Sequence, residues 1–175
     1  MMAPMSAEPK PTRRRPPASE AVAEAAEVRV LRRFRIVFNA VKTHFKQVEK
    51  QAGIGGAQLW ALSIIGAHPG VGVSALAATM DVHQTTASNL VKGLVKADLI
   101  ITERSGPDRR AVQLLITAAG SRILAKAPGP FSGVLPDAIA RLDARTLKRL
   151  DKDLQQLIER LKVDESAASI PLAEL

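Results

Sequence analysis

Within QTTASNLVKGLVK, residues 84–96, Thr85, Asn89, Lys92 and Lys96 follow one another at steps of four, three and four, with Ser88 on their flank. At about 100° per residue this spacing gathers them on one side of a helix. Their chemistry suits a nucleic acid duplex. Asparagine can bind adenine N6 and N7 in bidentate fashion, threonine can meet a thymine methyl or a phosphate, and the lysines offer point charges to phosphates. Further along, ERSGPDRR (103–110) concentrates Arg104, Ser105, Asp108, Arg109 and Arg110 between two runs of strand-forming residues. Ser105, Gly106 and Pro107 make that connection small and tight, so Arg109 or Arg110 can reach outward into a narrow minor groove, whose negative potential attracts arginine. Asp108 would repel a phosphate directly. Its expected part is to pair with an arginine and restrict its direction, since an exposed salt bridge adds only about 0–1 kcal/mol of stability.

Either feature alone would pass for a solvated helix face or a charged turn. Their positioning elements give them meaning. Opposite the polar ridge, Ala87, Leu90, Val91 and Leu94 cluster within one arc, which predicts the buried side of the helix. VSALAATM (73–80) predicts another short helix just before it, separated only by Asp81-Val82-His83, and two short helices so joined form a helix-turn-helix. The sharp turn needs a residue at positive φ, and Asp81 tolerates that region better than most non-glycines. GAQLWALSIIG (56–66) predicts a helix stopped by His68-Pro69-Gly70. After Leu99 the pattern alternates, predicting strands over 99–104 and 111–117 with Val112, Leu114 and Ile116 on one face. The expected fold is mainly α with a small β-hairpin wing, a winged helix-turn-helix in the α+β class.

Long helices flank this region. Ser19 is the expected cap of a helix running to about Gln51, with Gly53 suited to its stop. Leu31, Phe34, Phe38, Val41, Phe45 and Val48 form an apolar stripe at steps of three and four, while Arg29, Arg32, Arg33, Arg35, Lys42 and Lys46 supply a solvated face. At 1.5 Å per residue such a helix would be about 45–50 Å long, more than one small domain can cover. Thr117 is placed to cap a fifth helix, which Pro128-Gly129-Pro130 should disturb. The last helix, over 143–162, carries Leu147, Leu150, Leu154, Leu157 and Leu161 at the same helical steps.

The expected organisation is therefore a basic N-terminal arm (1–18), an N-terminal helix (19–53), the winged region (54–117), C-terminal helices (118–163) and a flexible tail (164–175). The arm, with Arg13-Arg14-Arg15, reads either as a solvated tail or as a segment touching phosphates.

Composition narrows the function classes. A formal charge of +8 favours a polyanionic partner, whereas 3% aromatic residues argues against readers that stack bases. With no cysteine, thiolate zinc sites, disulfides and thiol redox sensing are excluded. His44, His68 and His83 lie on three separate segments, none in a metal or hydrolase motif, and HPGVGVS lacks the lysine of a phosphate loop. Neither catalysis nor a cofactor or metal is expected. No apolar run approaches the roughly 18 residues of a membrane span, and the N-terminus lacks a secretory signal, so the expected location is cytoplasmic and nucleoid-associated. A basic protein-interaction module and a nonspecific, nucleoid-type DNA binder remain alternatives.

The stretch from VSALAATMDVHQTTASNL to ERSGPDRRAVQLLIT resembles the DNA-binding core of MarR-type transcriptional regulators, with the Asp-x-Arg wing signature at Asp108 and Arg110 and the closing Ile116-Thr117. The similarity extends over roughly residues 28–162. It implies a homodimer of two winged lobes on a near-palindromic double-stranded operator, the first, fifth and sixth helices supplying the interface. Leu31, Phe34, Phe38, Leu147, Leu150, Leu154, Leu157 and Leu161 are then the interface residues. The resemblance carries readout to Gln84, Thr85, Ser88, Asn89 and Lys92 on the recognition helix and to Arg110, supported by Asp108, in the wing. It further implies release from DNA by a small, often aromatic, effector of unknown identity in a crevice that His44 and Trp60 could border, although both also suit a core or surface place. Repression is expected because a dimer lying over a promoter obstructs polymerase without further machinery. The chain departs from the family pattern at three places. Asn89 stands where many relatives have arginine, shifting preference towards adenine. His83 replaces a small capping hydroxyl, and Pro128 and Pro130 interrupt a helix that is normally continuous.

Overall fold

A computed structural model describes residues 18–104, 112–163 and 165–174. The chain divides into two units, 1–36 and 37–175. Helix α1 (Ala18–Ala52) contributes to both. Its described part begins at Ala18, so Ser19 lies within the helix and not ahead of it as the expected cap. In the first unit Val28, Val30, Leu31 and Ile36 are exposed and Phe34 is half-buried. The helix stops where glycine was expected to stop it: Gly53 adopts φ +71° and its N–H donates to Glu49 O at 2.9 Å.

The second unit continues α1 and adds α2 (Gly56–Ala67), α3 (Val73–Met80), α4 (Gln84–Lys96), β1 (Ile100–Arg104), β2 (Val112–Ile116), α5 (Ala118–Lys126), α6 (Val134–Ala140) and α7 (Ala144–Leu161). Its core forms around α2, which is apolar on all sides and is covered accordingly. Leu59, Leu62 and Ile65 of α2 are fully enclosed, together with Leu76 of α3, Leu94 of α4 and Leu114 of β2. Val112 and Ile116 pack on the same cluster, as their alternation with Gln113 and Leu115 predicts.

The strands pair antiparallel, from Ile100 opposite Ile116 to Arg104 opposite Val112. A bridge between Val71 and Leu114 fastens the hairpin to the segment between α2 and α3, through Gly70 N–H to Leu114 O at 2.9 Å and Leu114 N–H to Val71 O at 3.0 Å. The hairpin root is thus held from a third side.

Beyond the hairpin the proline interruption acts as expected. Helix α5 ends at Lys126, and a separate short helix, α6, follows, so the last long helix is the seventh. Asp143 caps α7, accepting from Thr146 N–H at 2.9 Å and Thr146 Oγ1–H at 2.7 Å. The flexible tail expected over 164–175 is a different matter. Its described residues form two 3-10 turns, Glu165–Ser169 and Leu172–Glu174, the second of which packs on α2, with Pro171 buried and Ala173 against the core. Apolar contact made by a proline, a leucine and an alanine orders a segment that has no periodicity of its own.

Candidate nucleic-acid interface

The turn between α3 and α4 depends on one residue. Asp81 sits at φ 53° and ψ 47°, in the left-handed region that its short polar side chain tolerates. Val82 N–H donates to Ala77 O at 3.1 Å, closing the end of α3, and His83 is extended at φ −61° and ψ 145°. Helix α4 then begins at Gln84. The imidazole of His83 makes no capping bond, so the helix starts there without the hydroxyl that its position would suit.

Helix α4 divides as its sequence requires. Ala87, Leu90, Val91 and Leu94 are buried against the α2 and α3 side of the core. Gln84, Thr85, Asn89, Lys92 and Lys96 are exposed, and Ser88 is half-buried beside them. The ridge therefore combines an amide, a hydroxyl and two cations on the solvent side of a helix whose reverse side is locked into the core. Arg104, the last residue of β1, is exposed as well. The other wing residues of the sequence reading, Ser105, Asp108, Arg109 and Arg110, lie outside the described residues, as do Gly106 and Pro107 and the basic arm with Arg13, Arg14 and Arg15.

Two features hold this helix against the hairpin. Asp98 adopts φ 56°, a second left-handed aspartate, and turns the chain from α4 into β1, with Leu99 N–H donating to Leu94 O at 3.0 Å. The reading from sequence missed it, although an aspartate just past a helix end is the usable signal. Thr117 completes the junction. Its hydroxyl lies 2.9 Å from Asp98 O and 3.1 Å from Leu99 O, either of which can accept its proton, and it accepts Gly120 N–H at 3.0 Å. One side chain thereby ties the end of α4, the start of β1 and the first turn of α5.

Below the helix-turn-helix lies a cavity of about 220 Å³ lined by Phe45, Trp60, Met80, Val82, Phe131 and Pro171, among others. Of the two residues expected to border a crevice, Trp60 lines this one. His44 does not: it is 7% exposed, and its Nε2–H donates to Pro130 O at 3.2 Å, fastening α1 to the segment before α6. Its ring meets Phe45 edge-on at 5.3 Å. Phe45 was read only as part of the α1 stripe, and Phe131 was not singled out. Among the described residues no group of three or more His, Asp or Glu could hold a metal ion, and no helix is long and apolar enough to cross a membrane.

The apolar residues of the last helix remain at the surface. Leu154, Leu157 and Leu161 of α7 are exposed, and Leu147 and Leu150 are half-buried. Phe38 on α1 is also exposed, although it does make a contact.

Residues 52–111 match the model of the MarR family. No curated protein matches the chain. Similar solved structures include a MepR-like protein complexed with pseudoligands, with 19% identity, TM-score 0.52, and coverage of 78% of this chain and 92% of that one. The Staphylococcus aureus MepR–DNA complex has 19% identity and TM-score 0.53, covering 73% of this chain and 94% of that one. The YusO protein of Bacillus subtilis has 19% identity and TM-score 0.50, covering 78% and 97%. At such identities the likeness establishes the fold, a winged helix with long flanking helices.

Proposed function

We propose, from the match of residues 52–111 to the model of the MarR family, that this protein is a transcription regulator that binds double-stranded DNA by sequence. The observation that carries the proposal is the division of α4: its polar ridge faces solvent while its other side is fixed in the core, at the second position of a helix-turn-helix. In this reading α4 enters the major groove. Asn89 and Thr85 read base edges, with Gln84 and Ser88 beside them, and Lys92 and Lys96 hold phosphates. The wing, Arg104 to Arg110, follows the adjacent minor groove, where Arg109 or Arg110 inserts and Asp108 aligns it. The DNA complex of MepR supports this assignment through its shared fold.

The functional unit is a homodimer. The winged region, 54–117, is flanked by helices 19–53 and 118–163 that join two copies, and the exposed leucines of α7 support that role. Bound over a promoter in the cytoplasm, the dimer represses by obstruction. A small, often aromatic, effector entering the cavity beside Trp60 would release it, provided it binds the DNA-incompetent form more tightly. The MepR-like structure with pseudoligands favours this second part.

Footprinting and gel shifts with the DNA next to its own gene test the proposal. Retention of one fragment against excess unrelated DNA, with protection of two half-sites about one helical turn apart, is the expected result. Equal retention of every fragment would replace sequence readout by nonspecific binding, and no retention would remove the DNA role. Asn89→Ala should relax selection at one base position of each half-site by about 1–3 kcal/mol, and Lys92→Ala should weaken all sequences alike and flatten the salt dependence.

A further inference from the structure

The segment 165–174 occupies an unexpected place. Pro171 is buried, Ala173 packs on the hydrophobic core, and Ile170 and Leu172 line the cavity that also contains Phe45, Trp60 and the Met80-Asp81-Val82 turn. The fit is close at the start of α2. A Cβ on Gly56 would stand 3.0 Å from that of Ala173 and would collide with the Phe45 ring. The same segment reaches the recognition helix, since Ala173 and Glu174 line a shallow cavity of about 300 Å³ together with Gln58, Asn89 and Leu90. Glu174, exposed at the surface, thus shares that shallow cavity with Asn89 of the polar ridge.

We propose that residues 165–174 are an intramolecular strap that lowers affinity for DNA while docked, its apolar residues seated in the crevice and Glu174 beside Asn89 opposing the approach of phosphates. The inference rests on the assignment of α4 to DNA. Seating comes from the buried Pro171 and the half-buried Ala173, whose contact with the core removes apolar surface from water, with the exposed Leu172 at the rim. Inhibition comes from charge. A carboxylate within a Debye length of the approaching backbone, about 8 Å at physiological salt, repels it, and releasing the strap first costs the apolar contacts. In either case the competent form is only part of the population, and the apparent Kd rises by that fraction. The effector proposed above would then oppose DNA binding by occupying the cavity alongside the seated strap and holding it there, whereas a ligand that displaced the strap would favour DNA binding.

Trp60, the chain's single tryptophan, lines the strap's seat and reports docking without any DNA. The experiment compares the full chain with Ala173→Gln, which is neutral and too large for the seat, and with Glu174→Gln, which keeps the seat and removes the charge. Ala173→Gln should shift Trp60 emission to longer wavelength and tighten binding to the footprinted duplex by about three- to tenfold. Glu174→Gln should leave the emission unchanged and tighten binding by about two- to threefold, a gain that shrinks with added salt. Unchanged or weaker DNA binding by both variants, or unchanged Trp60 emission in Ala173→Gln, would overturn the strap. Failure of the DNA assignment looks different: neither the wild type nor any variant would bind duplex, while the Trp60 shift would still report release.

Discussion

Leu62 and Ile65 in the winged region and Leu154, Leu157 and Leu161 in α7 stand at the same helical steps of three and four, yet their surroundings are opposite. The first two are fully enclosed by α2, α3, α4 and β2, whereas the other three are 36%, 38% and 60% exposed. Amphipathic spacing says that a helix face is to be covered without saying by what. In the winged region the covering elements are neighbours in the same chain, and the α2-centred core closes on itself. Among the described residues α7 has no such cover, and the second copy proposed above would supply it.

The contrast can be broken most decisively at its enclosed end. Leu62→Ala should destabilise the winged region by about 2–5 kcal/mol through lost contacts and a cavity, measured by urea unfolding. A loss below about 1 kcal/mol would mean that this core is looser than its closure implies. At the exposed end, Leu157→Ala should hardly change the stability of a single copy but should weaken association by about 2 kcal/mol, roughly thirtyfold in Kd, read by sedimentation. A wild type that sediments as a monomer at all concentrations would remove the second copy.

Smaller effects sharpen the comparison at the joints between these regions. Thr117→Ala should cost about 1 kcal/mol, with a ceiling of roughly 2, because it frees Gly120 N–H and loosens the β1 entry. Asp143 gives the smallest effect, and its sign follows from its bonds. Donation by the Thr146 hydroxyl, then by the Thr146 backbone N–H, holds its carboxyl below the ordinary aspartate range. The cap therefore stabilises fully above the unfolded-state pKa and is lost as pH falls through the lower, folded value. The stability difference between wild type and Asp143→Ala should be constant near neutrality and shrink only in acid. A difference that grew in acid would contradict the cap.

Legibility in the sequence followed the same division. The helix-turn-helix could be read in detail because short-range rules decide it: Asp81 at the tight turn, Thr117 as cap, and the four-residue apolar arc of α4 all depend on neighbours within a turn or two. The proline break after α5 was legible for the same reason. Where distant parts of the chain decide, the reading stopped. Nothing in VDESAASIPLAEL signals that Pro171 and Ala173 will find α2, and nothing local to His44 shows that Pro130, 86 residues away, accepts its proton. The candidate ridge can be read from helical spacing without its surroundings. The residues lining the cavity beneath it became a group only through the fold.

Gly120 shows how these parts are connected mechanically. A side chain there would collide with the carbonyl of Leu99 and press on Ile116 at 2.8 Å, so the first turn of α5 lies directly on the root of both strands. Even the methyl group of Gly120→Ala would have to prise the helix away from the strands, since there is no room for it between them.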